Sequence, residues 1–264
     1  VATYTRAFEL CQHVGETPQL FPVLLGLRRM YFARGEVQQA YELNQQLLSL
    51  ATRTQDVVLL TRAHVMLMEV LRERGEIRRS LEHCDQALFL YDQQPPGAQI
   101  RFYGNDSKAT GLMQSAKVLW MLGYPDQARG RIEQARSWVE ELSHPFTQGM
   151  LCAHAGEMYA WLNDYPQALA LTTAGVALTE EYGFNILQAM NLFFRGYALA
   201  QVGQAQGAIV EIQNGRKLWQ SGGGNAGQAR GLLALAVAYR AAPGRHAAGR
   251  LSRRPLFRAA PPAG

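Results

Sequence analysis

One short pattern recurs through the chain and restricts the fold more than any other feature. A turn residue is followed five positions later by a small one: Gly35 with Ala40, Gly75 with Ser80, Gly123 with Ala128, Asn163 with Ala168, and Gly203 with Ala208. Successive turn residues lie 40, 48, 40 and 40 positions apart. Spacing that regular marks a stack of like units, each a helix, a turn and a return helix, with eight extra residues in the third unit. A stack buries its core between neighbours, so the 264 residues need not be divided into globular domains of ordinary size.

The segments between turns have helical periodicity. Gly15-Glu16-Thr17-Pro18 closes one helix and opens the next, since Gly suits a left-handed cap, Thr an N-cap and Pro the first turn. Helices are expected at about 18–34 and 36–52, 56–74 and 76–92, 107–122 and 125–142, 145–162 and 165–182, and 185–202 and 205–220. Val37, Ala40, Leu43, Leu47, Leu48 and Ala51 form one apolar stripe on the first return helix. The stripe Ile77, Leu81, Cys84, Leu88 and Tyr91 repeats it on the second. Residues 1–14 read as the back half of an earlier hairpin, so the chain is expected to begin inside a longer array. A last first-type helix is expected at about 226–241.

Gln93-Gln94-Pro95-Pro96-Gly97 cannot continue a helix, and the segment to Asp106 reads as the insertion. Residues 242–264 form a Pro-, Arg- and Ala-rich tail without an apolar stripe, expected to be frayed or disordered, or else a truncated or frameshifted end. The domain reading is therefore a repeat domain over 1–241 and a tail over 242–264.

Two positions explain the small residues. Tyr31, Leu71, Leu119, Tyr159 and Leu199 stand four before each turn residue and fill the space between paired helices. The small residue five after the turn lets those helices approach to roughly 8–10 Å. Seven further on stand Leu47, Ala87, Ala135, Gly175 and Gly215, mostly small again.

These offsets resemble the tetratricopeptide repeat, whose hallmark is a turn glycine, an alanine five later and a second small residue seven after that. Gly123, Ala128 and Ala135 match, as do Gly203, Ala208 and Gly215; Gly156 and Gly196 sit seven before their turns, as the family prefers. The 40-residue period exceeds the usual value of about 34, which places the likeness with longer, degenerate repeats. The implied fold is all-α, a right-handed superhelical solenoid of antiparallel helical hairpins. A narrower resemblance rests on Gly15-Glu16-Thr17-Pro18-Gln19-Leu20-Phe21-Pro22-Val23-Leu24, on Leu119 through Ala128, and on Glu141-Leu142-Ser143-His144-Pro145-Phe146. These phrases are similar to the C-terminal repeat region of bacterial signalling proteins that join an adenylate or guanylate cyclase, or another effector, to an AAA-type ATPase. That likeness implies a regulatory, partner-sensing piece without either catalytic part.

In such arrays the first helices line the concave groove. Transferring the groove positions through the turn residue selects Arg29, Phe32, Arg62, Glu69, Arg72, Met113, Lys117, Trp120, Glu157, Trp161, Phe193 and Tyr197. Basic residues come early and aromatics late, a combination suited to an extended or helical peptide, with Arg and Lys pairing acidic groups and the rings acting as anchors. The same positions also serve inter-helix packing. The resulting expectation is a non-catalytic interaction or scaffold module that binds a protein or peptide segment, other domains of its parent included. The alternative is a ligand-sensing domain that controls an attached ATPase or cyclase.

Other features point away from chemistry. The formal charge of +5 comes from Arg240, Arg245, Arg250, Arg253, Arg254 and Arg258; removing those six leaves residues 1–239 at −1. Phe257 is the tail's only aromatic, which argues against a nucleic-acid stacking platform. Cys11, Cys84 and Cys152 are three and far apart, fitting a reducing cytoplasm rather than a disulfide framework. No run of 18 apolar residues suggests a membrane span. Ser221-Gly222-Gly223-Gly224-Asn225-Ala226-Gly227 lacks a Gly-Lys-Ser/Thr ending and follows a helix, so it reads as a loop rather than a phosphate cradle. His13 near Cys11, His83 beside Cys84 and His154 near Cys152 diverge by about 100° per residue on a helix and read as packing or surface positions, not ligand pairs. Glu140-Glu141 and Glu180-Glu181 read as solvated charge. No cofactor and no catalytic constellation are expected.

Overall fold

The computed structural model describes residues 20–97, 99–100 and 104–221. The expected helices before residue 20 and after residue 221, the tail, the glycine cluster beyond Ser221, and the Cys11–His13 pair lie outside the described residues.

Among the described residues the structure is ten α-helices in five hairpins and contains no strand. The first hairpin joins α1 (Leu20–Ala33) to α2 (Val37–Thr54), and the second joins α3 (Val57–Glu73) to α4 (Ile77–Tyr91). The third repeat supplies α5 (Ser107–Met121) and then α6 (Pro125–Leu142), the fourth pairs α7 (Pro145–Trp161) with α8 (Tyr165–Glu181), and the fifth α9 (Asn185–Gln201) with α10 (Ala205–Ser221). This is an all-α, tetratricopeptide-like helical-repeat fold. The chain divides after Val118, in the last turn of α5, into two compact units. In the first unit α3 packs on both α2 and α4; in the second α9 packs on α7, α8 and α10.

All five turns have one construction. Gly35, Gly75, Gly123 and Gly203 have φ between 79° and 89°, and Asn163 has φ 60°. Left-handed backbone costs other L-residues about 1–2 kcal/mol, so glycine, and asparagine in its place, is what the turn selects. The next residue's N–H then reaches back to the large residue four before the turn: Glu36 to the Tyr31 carbonyl, Glu76 to Leu71, Tyr124 to Leu119, Asp164 to Tyr159 and Gln204 to Leu199, each at 2.9 Å. The same five residues accept the first helical bond of the return helix, from Ala40, Ser80, Ala128, Ala168 and Ala208. One turn residue thus ends one helix and sets the phase of the next.

The small positions are where helices touch. Ala40, Ser80, Ala128, Ala168 and Ala208 have no exposed surface. A Cβ on Gly156 would lie 2.3 Å from Thr172 Cγ2, and one on Gly175 would lie 2.1 Å from Asn191 Oδ1. Arg28 stands seven before its turn, where Gly156 and Gly196 stand in later units, and is 1% exposed. Its guanidinium leaves the hairpin, donating to the Met66 carbonyl at 2.8 Å and pairing with Glu69 at 3.0 Å, so it joins α1 to α3.

The insertion is pinned by a buried polar network. Tyr91 donates to Asp106 and accepts from the Gly97 N–H at 3.0 Å. Gln94 donates to Thr61 at 2.7 Å and accepts from Gln99 at 2.8 Å; Ser107 donates to Gln99. Asp106 Oδ1 caps α5 by accepting from the Ala109 N–H at 2.8 Å. Burial, then the Asp106 carboxylate, raises the Tyr91 phenol above its ordinary range, so it remains a donor. Within the described insertion Gln99, Asn105 and Asp106 are buried, while Gln93, Pro95, Pro96 and Gly104 are exposed.

Candidate functional site

The twelve groove positions divide by exposure. Arg29 is exposed, and Phe32, Glu69, Trp120, Trp161 and Tyr197 are half-buried. Arg62, Arg72, Met113, Lys117, Glu157 and Phe193 are buried. The two buried arginines are held within the first unit: Arg62 donates to Asn105 at 2.9 Å and to Ser107 at 3.4 Å, fastening the insertion to α3. Arg72 donates to Gln114 at 3.0 Å and pairs with Glu73 at 2.6 Å. Arg28 brings Phe32 and Glu69 together, lying over the Phe32 ring at 4.4 Å while pairing with Glu69.

In the second unit Trp120 and Trp161 meet, with ring centroids 4.8 Å apart and planes inclined at 40°. Trp120 precedes its turn residue by three positions and Trp161 by two, so the contact joins neighbouring registers of successive repeats. Tyr197 follows on α9, and burial raises its phenol pKa. Phe193 is packed inward, 6.2 Å from the Trp219 ring. Glu157 lies one turn from His154, at 3.7 Å, and both are buried. Among the groove positions in this unit the accessible aromatics are therefore the tryptophan pair and Tyr197.

Three arrangements escape a reading by turn register alone. Arg28 was signalled only as a bulky residue at a small-residue position. Arg129, Glu133, Tyr159 and Asp164 form a surface polar cluster: Tyr159 donates to Glu133, and Arg129 lies over the Tyr159 ring at 5.4 Å and 3.5 Å from Asp164. Burial, then Glu133, pushes the Tyr159 pKa up to about 12. The third is His64 on α3 and His83 on α4, whose Nδ1 atoms are 2.8 Å apart. His83 adjoins Cys84 in the sequence, but that buried thiol donates to the Gly111 carbonyl at 3.3 Å. A signal for the histidine contact did exist: position −11 on a first helix and +8 on its return helix are apolar in the first hairpin, as Leu24 and Leu43, and buried there.

The remaining candidates have plain settings. Glu140, Glu141, Glu180 and Glu181 are exposed. Cys84 and Cys152 are free thiols, and burial raises the Cys152 pKa to about 11. Among the described residues no group of three or more His, Cys, Asp or Glu is placed to hold a metal ion. No described helix is long and apolar enough to cross a membrane.

No family model and no curated protein matches the chain. Solved structures do. A Rap protein complexed with Competence and Sporulation Factor is similar at TM-score 0.65 and 15% identity, over 79% of this chain and 56% of that one. BtubC from P. vanneervenii is similar at TM-score 0.59 and 17% identity, over 85% and 91%. A Signal Transduction ATPase with Numerous Domains from Pyrococcus horikoshii, carrying a tetratricopeptide repeat sensor, is similar at TM-score 0.58 and 12% identity, over 84% and 32%. The chain spans little more than half of the Rap protein's length and about a third of the ATPase's. These likenesses show the fold: a helical-repeat protein of the tetratricopeptide type.

Proposed function

We propose that this chain is a non-catalytic interaction scaffold that holds a peptide segment of a protein on the first helices of its repeat domain, taken as residues 1–241. The tryptophan pair carries the reading. Trp120 and Trp161 are large, mutually packed and half-buried, and come from two successive repeats. A rigid aromatic pair offers much contact area at little conformational cost, which is what anchors of peptide recognition require. With Arg72 and Lys117 buried, the accessible anchors favour apolar or aromatic side chains of the peptide over a purely acidic partner. The Rap protein's complex with Competence and Sporulation Factor supports a bound-partner role for the fold.

The test is selection of peptides from a random display library on the full chain, followed by titration monitored by tryptophan fluorescence. Selected peptides should carry bulky apolar residues, perturb the emission, and lose affinity for Trp120→Ala and Trp161→Ala chains by about 2 kcal/mol or more. Equal affinity for both variants, with melting temperatures unchanged, overturns the assignment.

A second reading is favoured by the repeat sensor of the similar ATPase. In it the array is the sensing part of a larger signalling protein, and occupancy of the same face governs an attached ATPase or cyclase.

A further inference from the structure

His64 and His83 face each other across the second hairpin, one from each helix. Their Nδ1 atoms are 2.8 Å apart, the ring centroids 5.0 Å apart and the planes inclined at 40°. Both side chains are part-buried, so the pair is held by its helices yet remains open to solvent on one side. A 2.8 Å separation requires one Nδ1 to donate and the other to accept. The two nitrogens thus converge on one point, which a single proton occupies.

A metal ion can take that place. Zinc binds imidazole nitrogen at about 2.0–2.1 Å, and tetrahedral geometry then sets two such nitrogens about 3.3 Å apart. The observed separation is short of this by about half an ångström, within reach of small side-chain rotations. We propose that His64 and His83 form a two-imidazole clamp for one divalent transition-metal ion of the late first row, copper, nickel or zinc, with water completing the coordination. Neutral imidazole suits these ions, whereas magnesium and calcium take oxygen ligands. On binding, the donor ring's Nδ1 proton is replaced by the metal and that ring carries its proton on Nε2, so the ring stays neutral. Arg79 and Glu82 lie close enough to act on His83 with opposite sign, so their charges oppose one another at the site. A bound ion would tie α3 to α4 halfway along the second hairpin. This inference is independent of peptide binding by the second unit.

The chain has six histidines, so the test must identify the pair. Copper, nickel and zinc are titrated into the full chain at pH 7.5, following heat and melting temperature. One ion should bind per chain, copper most tightly by the general order of divalent affinities. His64→Phe and His83→Phe should each weaken it by at least about tenfold, since even loss of a ligand's supporting partner costs that much. A second measurement uses the unaltered chain: substoichiometric copper should broaden amide resonances around residues 64 and 83 first. Undiminished binding by folded variants, broadening centred on another histidine, or no saturable binding of any of the three ions overturns the proposal.

Discussion

Arg28 shows what one residue can do when it departs from its repeat. Where later units place glycine against the return helix, this side chain crosses to α3, with its charge answered by Glu69 and one N–H by the Met66 carbonyl. Its Nε is buried without a partner, so the arrangement is specific rather than cheap. Removing one member of a buried pair leaves the other uncompensated, which typically costs about 3–5 kcal/mol. Glu69 keeps some solvent contact, so Arg28→Ala should fall near the lower end, about 3 kcal/mol by urea denaturation. A loss under about 1 kcal/mol would mean that the pair contributes little. The histidine contact makes a different residue-scale prediction. Burial, then the neighbouring His83, pushes the His64 pKa down from 6.5 to about 4, and burial and Arg79 lower His83 against the pull of Glu82. The folded state therefore resists protonation that the unfolded chain accepts. The pair's contribution is present above pH 6.5 and is lost as pH falls toward 4. With chelator present, the melting temperature should fall more steeply over that interval for the unaltered chain than for a His64→Phe/His83→Phe chain; parallel curves would refute the linkage.

The hairpins were legible in the sequence because a single turn chemistry is repeated five times. Every turn residue named from spacing has positive φ, and every large residue four before it accepts the same 2.9 Å bond. Helix ends follow from those turns, as with α6 at Pro125–Leu142, whose start at Pro125 was expected. What spacing could not show is where polar side chains turn. Arg62 sits at a groove register, yet the insertion supplies Asn105 and Ser107 as partners more than 40 residues away, and no periodic rule predicts their arrival. The contact of His64 with His83 is across a hairpin, not along a helix, so only the equivalent positions of the first hairpin signal it. The small positions permit a sharper test than the turns. Gly156 lies within α7, where alanine would be the better helix former, yet its Cβ would meet Thr172 Cγ2 at 2.3 Å. Gly156→Ala should therefore destabilise by about 1–3 kcal/mol, as overpacking does. Thr172→Ser removes the offending methyl and keeps the hydroxyl that donates to the Ala168 carbonyl at 2.6 Å. The double variant should recover most of the loss, and a double-mutant cycle without coupling would show that the contact is not what excludes alanine.

At the scale of the chain, a repeat array is stabilised by neighbours, and damage to one hairpin propagates only as far as its interfaces carry it. The first unit's described core gathers α1 to α4 around Phe21, Leu24, Leu47, Met66 and Met68. A separate cluster in the second unit joins α9 and α10 through Phe193, Ala208 and Ile212. The metal clamp and the insertion network belong to the first unit, and the tryptophan pair to the second, so the two proposed activities draw on different local stabilities. Arg28→Ala tests that separation directly. Loss of the α1–α3 link should speed amide hydrogen exchange across α1 to α4, while α7 to α10 exchange at their original rates. Peptide capture by Trp120 and Trp161 should survive with it. Uniformly faster exchange through α10 would instead show that the chain opens as one cooperative body, and binding to either unit would then stabilise both.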